Sequence, residues 1–188
     1  VICPPIDDSW LQPRPAPAGA MEHPEYFLIV SSLVRYKRID LAIQAANTLG
    51  VRLKIVGEGP DSARLKRLAG PTVEFYGWRK NDELRDLYAN AKATIFPGEE
   101  DFGLVPVESM ACGTPVIAYG KGGALETVIP GKTGVFFDEP SAESLARVMR
   151  NFDRAMFGRQ ACTDHAKKFG KAQFERKIRA AAERLMQG

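Results

Sequence analysis

The sequence predicts an α/β domain built on a doubly wound parallel sheet of about six strands. Three observations carry that expectation. Short apolar runs bounded by turn residues recur at 26–31, 52–56, 73–76, 93–96, 115–119 and 135–137. Stretches with apolar residues at helical spacing separate them. The connections between are short, and alternation of this kind yields parallel strands joined by crossover helices.

Taken in order, residues 1–24 read as a hinge and linker. The run VICPPID begins as if inside an extended segment and Met21 is the first methionine, so the chain is expected to be a piece of a longer protein. Pro13, Pro15, Pro17 and Gly19 oppose regular structure between Ser9 and Pro24. Residues 25–188 are expected to form the domain proper. Its first strand, 26–31, fits burial on both faces, and Ile39, Ala42, Ile43, Ala46 and Leu49 give the helix after it an apolar stripe. After the second strand, Gly57, Glu58, Gly59 and Pro60 make a turn, and Asp61 is placed to cap a helix carrying Leu65 and Leu68. The third strand leads through Gly77, Trp78 and Arg79 to Asn81, a candidate cap for a helix with Leu84, Leu87, Tyr88 and Ala91 on its inner face. Pro97 ends the fourth strand. The fifth is followed by a turn of Gly120, Lys121, Gly122 and Gly123 and a short helix at 124–128, and the sixth closes the series. Ser141 caps a helix with Leu145, Val148, Met149 and Phe152 on one face, and the tail stays helical with a stripe of Phe174, Ile178, Ala181 and Leu185. The architecture is Rossmann-like.

Bulk properties exclude several classes. With 188 residues, 45% hydrophobic and 26% charged, the chain has the composition of one globular domain with a proper core. Its 26 basic residues are interleaved with 23 acidic ones for a net charge of +3, so nucleic acid is not an expected partner and any basic site is local. Cys3, Cys112 and Cys162 form no C-x-x-C, and with only His23 and His165 beside them a metal site lacks ligands. An odd number of cysteines without that motif points to a reducing, cytoplasmic compartment, with Cys112 read as a small buried residue. No apolar run approaches the ~20 residues of a membrane span, and the pattern of a signal peptide is not seen.

Chemistry concentrates between residues 99 and 126. Glu100 and Glu108 stand eight positions apart, and Phe102, Gly103 and Leu104 mark a loop giving way to a helix that lasts until Gly113. One carboxylate is thus in the loop and the other on the helix. Gly103 allows close backbone approach, and the free amides of the helix start form an anion site. Glu100 is placed to hold hydroxyls and Glu108 to reach a diol, since carboxylates accept strongly from O–H donors. Three cations, Arg35, Lys37 and Arg38, gather at the mouth of the first βα unit, where an open parallel sheet has its ligand crevice. The glycine turn at 120–123 suits contact with an anion or sugar, or simply needs positive φ. The basic side of the last helix, with Lys171, Arg176, Lys177, Arg179 and Arg184, suits an anionic membrane or acidic partner, while the more ordinary reading packs that helix on the sheet.

Glu100, Phe102, Gly103, Leu104, Glu108, Ala111, Gly113, Pro115, Val116, Gly122, Gly123 and Glu126 together resemble the signature of retaining GT-B glycosyltransferases, the GT4-like group 1 family. The likeness runs in ordered blocks from about Val1 to Leu185 and is greatest to bacterial and archaeal mannosyltransferases that build surface polysaccharides. It implies the C-terminal, donor-binding half of a GT-B fold, with the PPID-like turn as hinge and the N-terminal acceptor domain absent. It implies retaining, metal-independent transfer from a nucleotide-diphospho-sugar, GDP-mannose first and a UDP-sugar also open, to a glycan or lipid-linked acceptor held by the missing domain. The isolated domain is then inactive, needs no cofactor, and belongs in the cytoplasm, with peripheral contact at the inner face of the plasma membrane also open.

The resemblance also implies roles. Lys37 and Glu100 are the catalytic candidates, Lys37 on the pyrophosphate and Glu100 on the sugar. Glu108 takes the ribose, and the amides of Phe102, Gly103 and Leu104 the donor. Gly57 and Gly59 lie near base and phosphates or form a mere tight turn; Gly77 and Trp78 border the base pocket or simply pack; Gly122 and Gly123 approach the substrate. Where the family has an arginine this chain has Ser32, so Arg35 or Arg38 is expected to replace it in part. A nucleotide-sugar 2-epimerase or a non-catalytic binding module shares the architecture. A nicotinamide dehydrogenase is disfavoured because the first βα turn has no glycine, and a paired-carboxylate glycosidase because it gives no reason for anion loops.

Overall fold

A computed structural model describes residues 3–12 and 25–186. Six parallel strands form one sheet in the order β3-β2-β1-β4-β5-β6. They are β1 (Tyr26–Val30), β2 (Arg52–Val56), β3 (Val73–Gly77), β4 (Ala93–Phe96), β5 (Val116–Tyr119) and β6 (Gly134–Phe137). Phe27 pairs with Leu53 on one side and with Ala93 on the other, so β1 lies at the centre, where the direction of winding reverses. This is the doubly wound, Rossmann-like arrangement expected, and its ligand crevice lies at the carboxyl ends of β1 and β4.

The helices are α1 (Ile39–Leu49), α2 (Ser62–Leu68), α3 (Asn81–Ala89), α4 (Leu104–Ala111), α5 (Ala124–Thr127), α6 (Ala142–Asn151), α7 (Arg159–Ala166) and α8 (Lys171–Met186). Two apolar layers enclose the sheet. On one face, Ile39, Ala42, Ile43 and Ala46 of α1 and Leu145 and Met149 of α6 cover Phe27, Ile29, Leu53 and Ile55. On the other, Leu84 and Tyr88 of α3, Val107 and Met110 of α4 and Cys162 of α7 cover Tyr26, Leu28 and Val116. Central strands are buried on both faces, which is why they read as continuous apolar runs. Toward the β3 edge the second face turns polar: Arg52 reaches Glu74 at 3.1 Å, and the Lys54 ammonium sits 4.0 Å from the centre of the Tyr26 ring.

Several local expectations change. Asp61 does stand at the N-cap position of α2, but in helical conformation, and its carboxylate accepts from Nε and an Nη of Arg64, at 2.8 and 2.6 Å, rather than from a first-turn amide. Asn81 is the first residue of α3 rather than its cap, and the Glu83 carboxylate accepts from the Lys80 amide at 3.1 Å. Cys112 is half-buried. Ser141 does cap α6, its hydroxyl accepting from the Ser144 amide. Most of the proline-rich stretch, 13–24, lies outside the described residues, but the residues before it are not irregular throughout. A 3-10 turn at Asp8–Leu11 buries Trp10 edge-on against Tyr88, with ring centres 5.8 Å apart, and the Ile6 amide bonds the Phe169 carbonyl.

The last helix also differs from expectation. No residue of α8 is buried; Ile178 is 44% and Leu185 85% exposed, so its apolar stripe does not pack on the sheet. The helix is joined to the domain at its start, where the Lys171 amide donates to Asp8. Among the described residues no helix is long and apolar enough to cross a membrane.

Trp10 is thus a core residue of the domain although it precedes the first strand. Trp10→Ala is expected to cost about 3 kcal/mol by loss of a buried aromatic and its contacts. Urea denaturation measures it, and a change below about 0.5 kcal/mol would mean that residues 3–12 are not part of the folded unit.

Candidate functional site

The site is built from the loops that leave the carboxyl ends of the strands. After β1 the chain makes a 3-10 turn at Arg35–Lys37, and Arg38 follows in the left-handed region with φ of 51° before α1 begins. After β4, Pro97 and Gly98 lead through the three acidic residues Glu99, Glu100 and Asp101 to α4. Gly98 is where the two loops touch. A Cβ there would lie 2.9 Å from the Lys37 Cα and 3.0 Å from the Tyr36 carbonyl oxygen, so only glycine allows this approach.

That contact brings Lys37 and Glu100 face to face. The Lys37 ammonium meets Glu100 Oε2 at 2.5 Å, and both side chains are about four-fifths shielded, with 16% and 20% exposure. Sequence spacing did not foresee the pair, because the residues come from strands that meet only through the sheet order. Of the other cations, Arg38 has its Nε 3.5 Å from Asp40 and is directed to its own helix, while Arg35 is exposed at the start of the turn. Ser32 is exposed too, and its carbonyl accepts from the Ser31 hydroxyl and the Val34 amide. Arg35 is thus the more exposed of the two cations flanking Lys37, and Arg38 the one paired with its own helix.

Next to the pair, α4 starts. Gly103 has φ of 77°, and a Cβ on it would come 2.5 Å from the tip of the Phe96 ring, so the glycine seats the helix start on β4. Among the described residues the amides of Phe102, Gly103 and Leu104 have no protein acceptor, and Pro106 in the first turn has no N–H to offer. Unpaired amides at a helix start attract an anion, helped by the helix dipole.

Glu108 lies one turn farther along α4, half-buried. Its Oε2 accepts from the hydroxyl of the fully buried Tyr88 at 3.2 Å. Burial raises the carboxyl above its usual range, and the Tyr88 hydrogen bond opposes that in part. Tyr88 was legible only as part of the apolar stripe of α3; nothing in its spacing revealed the bond.

Several of the glycines permit close contact between loops. A Cβ on Gly57 would lie 1.9 Å from the Ser31 carbonyl oxygen and one on Gly59 2.4 Å from that of Leu33, so the loop after β2 nests on the loop after β1. The Gly57 amide donates to Gly77, and Glu58 accepts from the Trp78 amide at 3.3 Å. Trp78 is 65% exposed on this outer wall, not packed in the core. Gly122 and Gly123 likewise lie against the backbone of Glu100 and Phe102, and the Gly123 amide is taken by the Glu100 carbonyl at 2.7 Å. That amide is therefore not offered to a ligand, and the turn instead fixes Glu100 from behind.

Comparison with known proteins adds a family. A profile described as glycosyl transferases group 1 matches residues 14–169. The chain is 35% identical over 158 residues to a GDP-mannose-dependent alpha-(1-6)-phosphatidylinositol dimannoside mannosyltransferase of Mycobacterium tuberculosis, covering 77% of this chain and 41% of that protein. It is 40% identical over 107 residues to a GDP-mannose-dependent alpha-mannosyltransferase of the same species, covering 56% of this chain and 28% of that one. The chain spans well under half the length of these curated relatives. Among solved structures, a glycosyltransferase from Rickettsia africae superposes with a TM-score of 0.82 at 19% identity, over 100% of this chain and 57% of that one, which shows a shared fold.

The raised carboxyl of Glu108 supplies a test that needs no ligand. A folded-state carboxyl that holds its proton more tightly than the unfolded one makes stability fall as pH rises through that range, so the ionised form is a cost at neutral pH. Glu108→Gln keeps an acceptor for Tyr88 and removes the charge. The variant is expected to melt higher than the parent at about pH 7, the gain vanishing near about pH 4, where the parent carboxyl is itself protonated. Identical melting at both values would show that the carboxylate is freely solvated.

Proposed function

The chain belongs to the glycosyl transferases of group 1, and on that premise we propose that it is the donor-binding half of a retaining glycosyltransferase that uses a nucleotide-diphospho-sugar, GDP-mannose first. Residues 25–188 are the donor domain, residues 1–24 the hinge side, and an acceptor domain outside this chain holds a glycan or lipid-linked acceptor. The observation that carries the reading is the meeting of Lys37 and Glu100 in the crevice between β1 and β4, beside the unpaired amides that open α4. Two mycobacterial relatives named as GDP-mannose-dependent enzymes support mannose and guanosine over other donors.

Each group then has one task. The amides of Phe102, Gly103 and Leu104, with Lys37, hold the diphosphate and stabilise the negative charge that grows on it as the glycosidic bond to phosphate breaks. Glu100 accepts hydrogen bonds from sugar hydroxyls and orients the ring, and its charge favours a positive anomeric centre. Glu108, held by Tyr88, accepts from the ribose diol. Trp78 and the Gly77 backbone edge the base, and Arg35 adds charge near the phosphates. The acceptor's general base comes from the other domain, so this chain alone binds donor and transfers nothing. Its place of work on this reading is the cytoplasm, with the inner face of the plasma membrane as a second location. The basic side of α8 is available for a peripheral contact there. Ser32 favours one second reading, a nucleotide-sugar-binding module without turnover, because the family's arginine is missing.

Calorimetry and thermal shift with GDP, UDP, ADP and NAD, with and without magnesium, test the proposal. One nucleoside diphosphate is expected to bind without metal, adding about 2.7 kcal/mol of stability at about 100 times its dissociation constant. Glu108→Ala is expected to weaken that binding by roughly 1.5–3 kcal/mol, the worth of a charge-assisted hydrogen bond. Unchanged affinity would take Glu108 off the ribose, and preference for NAD would sink the reading altogether.

A further inference from the structure

Lys37 and Glu100 are paired with each other before any ligand arrives, and this has a consequence for selectivity that rests on the donor-site reading above. Both side chains are largely shielded, and the backbones that carry them are fixed. Gly98 leaves no room between the loops, and the Glu100 carbonyl is tied to the Gly123 amide at 2.7 Å. The carboxylate cannot be carried away by a cheap loop movement when an anion enters. Glu99 and Asp101, its neighbours, are both exposed.

We infer that the Lys37–Glu100 ion pair discriminates the intact sugar donor from the spent nucleoside diphosphate. The two ligands treat the pair differently. A diphosphate draws the Lys37 ammonium toward itself and leaves the Glu100 carboxylate shielded, without its cation and next to a like charge; a shielded charge that loses its partner is penalised. The intact donor brings sugar hydroxyls that donate to the same carboxylate, so both partners are re-satisfied as the pair opens. After transfer the sugar is gone, the compensation goes with it, and re-formation of the pair competes with the diphosphate for Lys37. The pair therefore weakens product relative to donor and speeds product release.

Removing a carboxylate that lies in the binding site should tighten one of its ligands. Calorimetric titration of GDP and UDP, and of GDP-mannose and UDP-glucose, into the parent chain, Glu100→Gln and Lys37→Met gives the comparison, with Glu100→Ala as a second route if the glutamine variant does not fold. Circular dichroism and melting establish folding first. Glu100→Gln is expected to bind the nucleoside diphosphate roughly three- to tenfold more tightly than the parent, the scale of a partly shielded ion pair, while its preference for the sugar nucleotide over the diphosphate falls. Lys37→Met is expected to lose affinity for both, and adding Glu100→Gln to it to recover less than the same change gives in the parent. Equal or weaker diphosphate binding by both Glu100 variants, in a parent that binds, overturns the inference and leaves the donor site standing. Absence of nucleotide binding by every protein, parent included, takes down the donor site and this inference together.

Discussion

The close approach of backbone to backbone at the carboxyl ends of the strands is the constraint on which the site depends. Gly57 and Gly59 lie on Ser31 and Leu33, Gly98 on Lys37, and Gly122 and Gly123 on Glu100 and Phe102. Loops from β1, β2, β4 and β5 are thereby nested with no side chain between them. A methyl group at Gly57, Gly59 or Gly123 would sit well inside contact distance of a backbone atom, which cannot swing aside as a flexible side chain can. What this rigidity secures is the placement of two charged groups from distant parts of the chain within one hydrogen bond of each other. Placement fixed before binding lowers the cost of ordering the site when a ligand arrives.

Behind the crevice, the C-terminal segments brace α4. The Phe102 ring lies 5.9 Å from Phe169, which in turn meets His165 edge-on at 5.4 Å. His165 Nε2–H donates to the Thr127 carbonyl at 2.9 Å and so holds the end of α5, the helix that follows the glycine turn. Burial lowers the His165 imidazole, which favours its neutral form, with the Thr127 hydrogen bond opposing in part. Arg154 closes the far end of α4 by donating to the Gly113 carbonyl at 2.6 Å. Residues well beyond the last strand thus help to position α4.

The order of strands and helices was legible because each strand is a short apolar run between turn residues and each helix has one apolar face. Those signals are local, and the strand bounds came out within a residue or two. Family-like positions at Glu100, Gly103 and Glu108 could likewise be picked out as one region. What stayed hidden was every interaction that needs the sheet order: the Lys37–Glu100 pair, the contact at Gly98, the Tyr88 hydroxyl on Glu108 and Trp10 on Tyr88. Glycine was read either as freedom to approach a ligand or as a plain turn; that several of them lie against neighbouring loops needs the sheet order as well. The stripe on α8 was read as a face packed on the sheet; periodicity says that a face wants cover, and says nothing about what supplies it.

The two carboxylates that drew attention in the sequence have opposite surroundings, and the difference assigns them different work. Glu100 has its charge balanced by Lys37, so a ligand that engages either partner must first open an existing interaction. Its contribution to affinity is a difference between two partnerships, and such a difference is suited to telling ligands apart. Glu108 has no cation among the described residues, only the Tyr88 hydroxyl, and burial leaves its charge under-compensated. A hydroxyl that donated to it would replace solvation that burial removes, so such a bond would be worth more than one to a freely solvated carboxylate. On the donor-site reading proposed above, selectivity falls to the loop carboxylate, which has a cation, and affinity to the helix carboxylate, which has none among the described residues.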